Sequence, residues 1–133
     1  MAGLFRCLRV FAAVSFLAVS PVATQAAEKD ATILVRQTLP TFTITLQSNP
    51  TTGYSWFLES FDAGLLEAVL RRYLPPQSTA AGAPGKEVWT FRARHGAFLV
   101  PRTSRIVFRY LRPWDADDAP GESVFTVVFA PGK

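Results

Sequence analysis

Short segments in which apolar and polar residues alternate one by one run through this chain, and they restrict it to a β-sheet fold. In residues 41–47 the apolar positions are Phe42, Ile44 and Leu46, with Thr or Gln between them. Successive side chains of a strand point to opposite faces, so this alternation predicts a strand with one buried face. Comparable patterns predict further strands over residues 31–37, 55–61, 86–94, 104–111 and 123–129.

One segment carries apolar residues at helical spacing instead: Leu65, Leu66, Val69, Leu70 and Tyr73. We interpret it as a short turn followed by a strand, because its neighbours are predicted strands and Pro75-Pro76 would stop a helix. Many short strands separated by Gly and Pro indicate an all-β sandwich.

The first 27 residues have the features of a secretory signal peptide. Arg6 and Arg9 form a basic head, residues 10–19 are apolar, and small residues then lead to Ala26 and Ala27. The apolar run is too short to serve as a stable membrane anchor. We therefore expect cleavage near Ala26 or Ala27 and a secreted or periplasmic protein.

Cleavage of residues 1–27 would leave one domain, residues 28–133, of the size of an immunoglobulin-like sandwich. This domain contains no cysteine, because Cys7 leaves with the signal, so its stability must come from an apolar core. Without Arg6 and Arg9, 12 of the 14 basic residues remain against 10 acidic ones, a balance that argues against nucleic-acid binding. We interpret the remaining arginine clusters as solvated strand faces: Arg71, Arg72, Arg102, Arg105 and Arg109.

The domain lacks the residue patterns that enzymes use, and we expect neither catalysis nor a cofactor. His95 is the single histidine, which excludes a multi-histidine metal site. No G-x-S-x-G motif occurs, and no cysteine nucleophile remains after cleavage. Asp115, Asp117 and Asp118 lack the spacing of a calcium loop, so we interpret them as part of a solvated loop.

The first of three loop motifs lies between two predicted strands and consists of Asn49, Pro50, Thr51, Thr52, Gly53 and Tyr54. We expect the asparagine to bond its own backbone, the proline to fix φ, and the glycine to adopt a positive φ. Thr51 and Thr52, small and stiff at χ1, would then form the tip. An ordinary hairpin turn is the alternative interpretation.

The second motif consists of Gly82, Ala83, Pro84 and Gly85, just before the strand at 86–94. Alone, these residues would also fit a flexible loop without a function. The third motif ends a predicted strand and consists of Arg112, Pro113 and Trp114. Its tryptophan is either an exposed anchor for a partner or a lid packed over the core.

In this order and combination, the three motifs resemble those of the chagasin family, small secreted inhibitors of papain-like cysteine proteases. The resemblance extends over about residues 33–129. It implies an immunoglobulin-like β-sandwich with three functional loops at one end, which as a monomer would occlude the protease cleft reversibly. All residues of the three motifs would contact the protease. Thr51 would lie nearest the catalytic thiol, and residues 82–85 and 112–114 would grip the two sides of the cleft.

Residues 96–105 depart from the family pattern. The stretch looks longer and more irregular than the usual spacing and contains Pro101, which leaves the strand pairing there open. A second function also remains open, an immunoglobulin-like envelope or adhesion module that uses the same loops on a ligand other than a protease.

Overall fold

The computed structural model describes residues 30–132, which form seven strands in two sheets. The strands are β1 (Asp30–Arg36), β2 (Thr41–Ser48), β3 (Ser55–Ser60), β4 (Leu66–Leu74), β5 (Gly85–Ala93), β6 (Arg102–Leu111) and β7 (Gly121–Ala130). One sheet has the order β1-β7-β6-β3 and the other β2-β5-β4. The predicted all-β sandwich is therefore confirmed, with the division into four and three strands that is typical of immunoglobulin-like domains.

Aromatic side chains from both sheets meet in the core. The ring of Phe108 on β6 lies 5.2 Å from that of Trp89 and 6.3 Å from that of Phe91, both on β5. Phe125 on β7 packs edge-on against Phe108 at 5.9 Å. Large edge-to-face aromatic groups bury much apolar surface, so they can hold the two sheets together without a disulfide.

The segment with helical spacing is a strand, β4, as the sequence analysis predicted. The turn before it is closed by hydrogen bonds from the amides of Leu65 and Leu66 to the carbonyl of Asp62. β4 pairs antiparallel with β5, and the register shifts between Ala68 and Leu70. This irregularity inserts one residue into the alternation of β4, and Val69 and Leu70 beside it are exposed.

The irregular residues between β5 and β6, 94–101, take no part in the strand pairing. Residues His95–Phe98 form a 3₁₀ turn whose Phe98 packs edge-on against Phe129 at 5.9 Å. β6 then begins at Arg102, opposite Phe129, and stays in register with β7 as far as Tyr110 and Gly121. The pairing that the sequence left open is thus continuous.

The two ends of the described chain lie at opposite ends of the sandwich. β1 runs parallel to β7, with Asp30 opposite Val124, which is near the beginning of β7 at Gly121. The last strand ends at Ala130, opposite Arg36, at the other end. Among residues 30–132 no helix has the length and apolar character needed to span a bilayer. The predicted signal peptide lies outside the described residues.

Candidate functional site

The three sequence motifs lie together at one end of the sandwich. They lie in the β2–β3 loop (residues 49–54), the β4–β5 loop (residues 75–84) and the β6–β7 loop (residues 112–120), except for Gly85, which begins β5. The side-chain amide of Asn49 donates to the carbonyl of Gly82, 3.2 Å away. Gly53 lies against the indole of Trp114, so closely that a Cβ atom on Gly53 would be 2.8 Å from Cη2. The loops therefore form one continuous surface, called the three-loop surface below.

Asn49 organises the first loop through both its backbone and its side chain. Its amide donates to the hydroxyl of Tyr110 (3.1 Å), and its carbonyl accepts from the hydroxyl of Thr52 (2.6 Å). Its Oδ1 accepts from the hydroxyl of Thr51 (2.5 Å). We expected the side chain to bond its own loop's backbone, and this was wrong. It instead links the tip to the second loop, at Gly82.

The tip of the first loop is a 3₁₀ turn over Pro50–Thr52. The amide of Gly53 closes it by donating to the carbonyl of Pro50 at 3.0 Å. Gly53 has φ of +83°, in the left-handed region that a side chain disfavours, as predicted. Thr51 and Thr52 are exposed at the tip.

The first loop is not a hairpin, because its two flanking strands belong to different sheets. β2 lies in the three-stranded sheet and β3 in the four-stranded one. A hairpin turn joins neighbouring antiparallel strands of one sheet. The alternative interpretation of residues 49–54 as an ordinary hairpin turn is therefore wrong, and the loop crosses between the sheets.

Trp114 is an exposed side chain and not a lid over the core. Its exposed fraction is 73%. This end of the core is closed by Tyr110, whose ring lies 4.9 Å from that of Trp56 and 5.3 Å from that of Tyr54. Of the two interpretations of Trp114, the geometry supports the one in which the indole is available to a partner.

Polar contacts join the first and third loops. The guanidinium of Arg112 lies 4.3 Å from the centre of the Tyr54 ring, and its Nη1 is 3.7 Å from Oδ2 of Asp118. The hydroxyl of Tyr54 donates to the same carboxylate. This hydrogen bond raises the pKa of Tyr54, because ionisation of the phenol would remove the donated proton. Asp118 thus helps to join two loops, although we expected only a solvated position.

The two glycines of the second motif occupy different environments. Gly82 is exposed, has φ of +78°, and has open space where a Cβ atom would lie. Gly85 is buried as the first residue of β5, where a Cβ atom would lie 2.6 Å from the carbonyl oxygen of Leu74. Gly82 therefore belongs to the three-loop surface, whereas Gly85 is buried in the strand that follows the second loop. Ala83 is half-buried, and Pro84 is exposed beside it.

The structure also reveals a buried carboxylate beneath the loops that the sequence analysis missed. Glu87 on β5 is 2% exposed and forms an ion pair with Arg71 (2.8 Å). Arg71 is exposed on β4, as expected of a solvated strand face, but its guanidinium also pairs with this carboxylate. Extending the alternation of Trp89 and Phe91 back by two residues would have placed Glu87 inside. Among residues 30–132 no group of His, Cys, Asp or Glu side chains is arranged to hold a metal ion.

Comparison with known proteins identifies the family. Residues 37–129, which contain all three motifs, match the family described as Chagasin family peptidase inhibitor I42. The chain belongs to the chagasin family. It is 34% identical over 91 residues to Chagasin of Trypanosoma cruzi, a match that covers 63% of this chain and 74% of Chagasin. Members of the chagasin family are peptidase inhibitors and not enzymes.

A solved structure supports the chagasin-type fold independently. The crystal structure of a cysteine protease inhibitor from Entamoeba histolytica is similar to this protein, with a TM-score of 0.54. The similarity covers 75% of this chain and 96% of that one, at 21% sequence identity. At this identity the likeness concerns the fold alone.

Proposed function

We propose that this protein inhibits papain-like cysteine proteases by placing the three-loop surface in the active-site cleft. Membership of the chagasin family supports an inhibitor, and the joined loops support the cleft as the site of action. The single observation that carries the proposal is the contact of all three motifs at one end of the sandwich. Thr51 and Thr52 project at its tip, and Trp114 is exposed beside them.

Ordered loops would favour tight binding in this arrangement. The tip residues are small, and the hydroxyls of Thr51 and Thr52 are already bonded to Asn49. A surface whose side chains and backbone are ordered before binding loses little conformational freedom in the complex. Trp114 adds a large aromatic side chain, of the kind that dominates many interfaces.

Inhibition would be reversible and non-covalent. The three motifs contain no cysteine that could form a disulfide with the protease thiol, and no electrophilic side chain that the thiol could attack. The tip is a 3₁₀ turn closed by its own hydrogen bonds, so it differs from an extended peptide substrate. We propose that the catalytic thiol approaches Thr51 without cleaving the chain.

The proposed site of action is the periplasm or the extracellular space. Residues 1–27 have the basic head, apolar core and small-residue exit of a signal peptide. A domain without cysteine is suited to an oxidising compartment, since it has no thiol to lose there.

The decisive experiment is inhibition of papain by the purified protein. We expect an inhibition constant below about 1 µM, with trypsin, a serine protease, as the control that remains active. Absence of papain inhibition at concentrations well above this value would contradict the proposal. It would favour the alternative, a binding module that uses the same loops on another ligand.

A further inference from the structure

A single buried carboxylate lies beneath the three-loop surface and bonds to both ends of the first loop. Oε1 of Glu87 accepts from the hydroxyl of Ser48 at 2.8 Å and from the amide of Trp56 at 3.2 Å. Ser48 is the last residue of β2, directly before Asn49, and Trp56 is the second residue of β3. The carboxylate therefore spans the gap across which the first loop is built.

This bridge matters because β2 and β3 lie in different sheets. A hairpin loop has its ends held by the ladder of its own strands, but these two strands are not ladder partners. Besides Glu87, the indole of Trp56 also links them, since its Nε1 donates to the carbonyl of Gln47 at 2.7 Å. Side chains thus set the distance between the two ends of the loop.

The other oxygen of the carboxylate connects the bridge to the second loop. Oε2 of Glu87 accepts from Nε and Nη2 of Arg71 at 3.0 and 2.8 Å. Arg71 lies on β4, the strand that leads into the second loop, and Glu87 follows that loop on β5. The guanidinium lies 5.0 Å from the ring of Trp89, so the ion pair is held against the core. Burial of a carboxylate is tolerated when such partners satisfy it.

We propose that Glu87 is a positioning residue for protease inhibition, one that fixes the separation of Ser48 and Trp56 and thereby the shape of the three-loop surface. The inference rests on the proposed function and names the residue that keeps the first loop ready to bind. Apparent affinity falls in proportion to the fraction of molecules in the competent conformation. When binding requires a conformational change, the association rate also falls.

Two substitutions distinguish the role of Glu87 as a hydrogen-bond acceptor from the role of its negative charge. Glu87→Gln keeps an oxygen that can accept from Ser48 and Trp56, but it removes the ion pair with Arg71. Glu87→Met has similar length and no such acceptor. Removing one partner of a buried ion pair destabilises a protein mainly when the remaining charge stays buried without a partner. Melting temperatures therefore show first whether the methionine variant is folded. Arg71, which is partly exposed, can then turn to water.

The matched control is a core substitution far from the loops. Val127 is fully buried on β7, opposite Ser104 near the beginning of β6. Val127→Ala leaves a cavity and should lower the melting temperature without changing the first loop. Hydrogen exchange of the backbone amides of Asn49 and residues 51–56 in the free protein is measured on all variants, together with the kinetics of papain inhibition.

For Glu87→Met we expect faster exchange at Asn49 and Trp56 and an inhibition constant about tenfold higher, mainly through slower association. The inhibition constant of Glu87→Gln should stay within about threefold of that of the unsubstituted protein, because the amide oxygen of glutamine retains the hydrogen-bond acceptor. Val127→Ala should change neither the exchange nor the inhibition constant.

Unchanged exchange and inhibition in folded Glu87→Met would overturn the inference, as would an equal loss of inhibition in Val127→Ala. If the unsubstituted protein fails to inhibit papain, the proposed function is wrong and the inhibitory role of Glu87 falls with it. The exchange measurement still decides, in that case, whether this carboxylate holds the first loop.

Discussion

The side chains of the three-loop surface either hold the loops together or remain available to a partner. Asn49 and Arg112 belong to the first group, since each contacts residues of another loop. Trp114 belongs to the second, because most of its indole is exposed although one edge lies against Gly53. This division tells which substitutions should change binding alone and which should also change the free protein.

Trp114→Ala should weaken papain inhibition by about 2 kcal/mol, roughly thirtyfold, because it removes a large aromatic side chain from the binding surface. The melting temperature should change little, since the indole is outside the core. Leu39→Ala is the matched control: Leu39 is also 73% exposed but lies at the opposite end of the sandwich. A fall of several degrees in melting temperature with unchanged inhibition would instead assign Trp114 a structural role.

Gly53→Ala and Gly82→Ala form a second matched pair. Both glycines have positive φ, so each alanine should cost about 1 kcal/mol of unfolding free energy through backbone strain. Only the new Cβ at position 53 would collide with Trp114. We therefore expect Gly53→Ala alone to displace the indole and weaken inhibition by about tenfold or more. Urea unfolding and inhibition constants check this, and equal losses of inhibition in both variants would contradict it.

Tyr54 should ionise only above its ordinary pKa of 10.0, because its hydroxyl donates to Asp118. The neutral phenol is the favoured form in the folded protein. Its contribution to stability is therefore present below pH 10 and is lost as the pH rises through the raised pKa. In Asp118→Asn the pKa should fall towards 10, as measured by ultraviolet titration of the phenolate. The variant Tyr54→Phe identifies which part of the absorbance change comes from Tyr54. A titration of Tyr54 in Asp118→Asn identical to that in the unsubstituted protein would refute the expectation.

At the level of loops and strands, alternation in the sequence predicted the elements well but not their partners. Period two shows which residues share a face of a strand, and it located β2 and β5 close to their observed bounds. It carries no information on which strands share a sheet, so the crossing of the first loop between sheets could not be predicted. Alternation would have placed Glu87 inside, but it could not identify the partners Ser48 and Arg71, which come from other strands.

Substitutions of Thr51 test whether the first loop enters a narrow cleft. Thr51→Ala removes a methyl group and a hydroxyl that bonds Asn49, and it should cost about 1 kcal/mol of binding free energy. Thr51→Trp should cost more, because added bulk at an exposed tip harms binding only where the partner confines it. Inhibition constants of both variants against papain provide the measurement. An increase in affinity for Thr51→Trp would show that the tip lies outside the cleft.

For the molecule as a whole, the sequence resemblance predicted more than the residue patterns could. Alternation indicated a sandwich, whereas the resemblance to chagasins predicted that three loops distant in sequence meet at one end. The observed contacts of Asn49 with Gly82 and of Gly53 with Trp114 confirm that clustering. That these loops bind a protease, and that residues 1–27 are removed, stay predictions.

Prolonged incubation with active papain should leave the inhibitor intact. The tip is a closed turn, and we expect uncleaved protein to be recovered from the complex after denaturation. Intact mass spectrometry provides the measurement, with a denatured sample of the same protein as the control that papain degrades. Quantitative cleavage within residues 49–54 would show that the first loop binds as a substrate.

The parallel pairing of β1 with β7 determines where a fusion partner or a surface attachment can be placed. Asp30 lies opposite Val124, three residues after the beginning of β7 at Gly121, so a polypeptide joined before β1 would emerge beside the three-loop surface. A polypeptide joined after Gly132 would emerge at the opposite end of the sandwich. Immobilisation through the carboxyl terminus would therefore present the three loops outward to solution, whereas an amino-terminal tether would crowd them against the support.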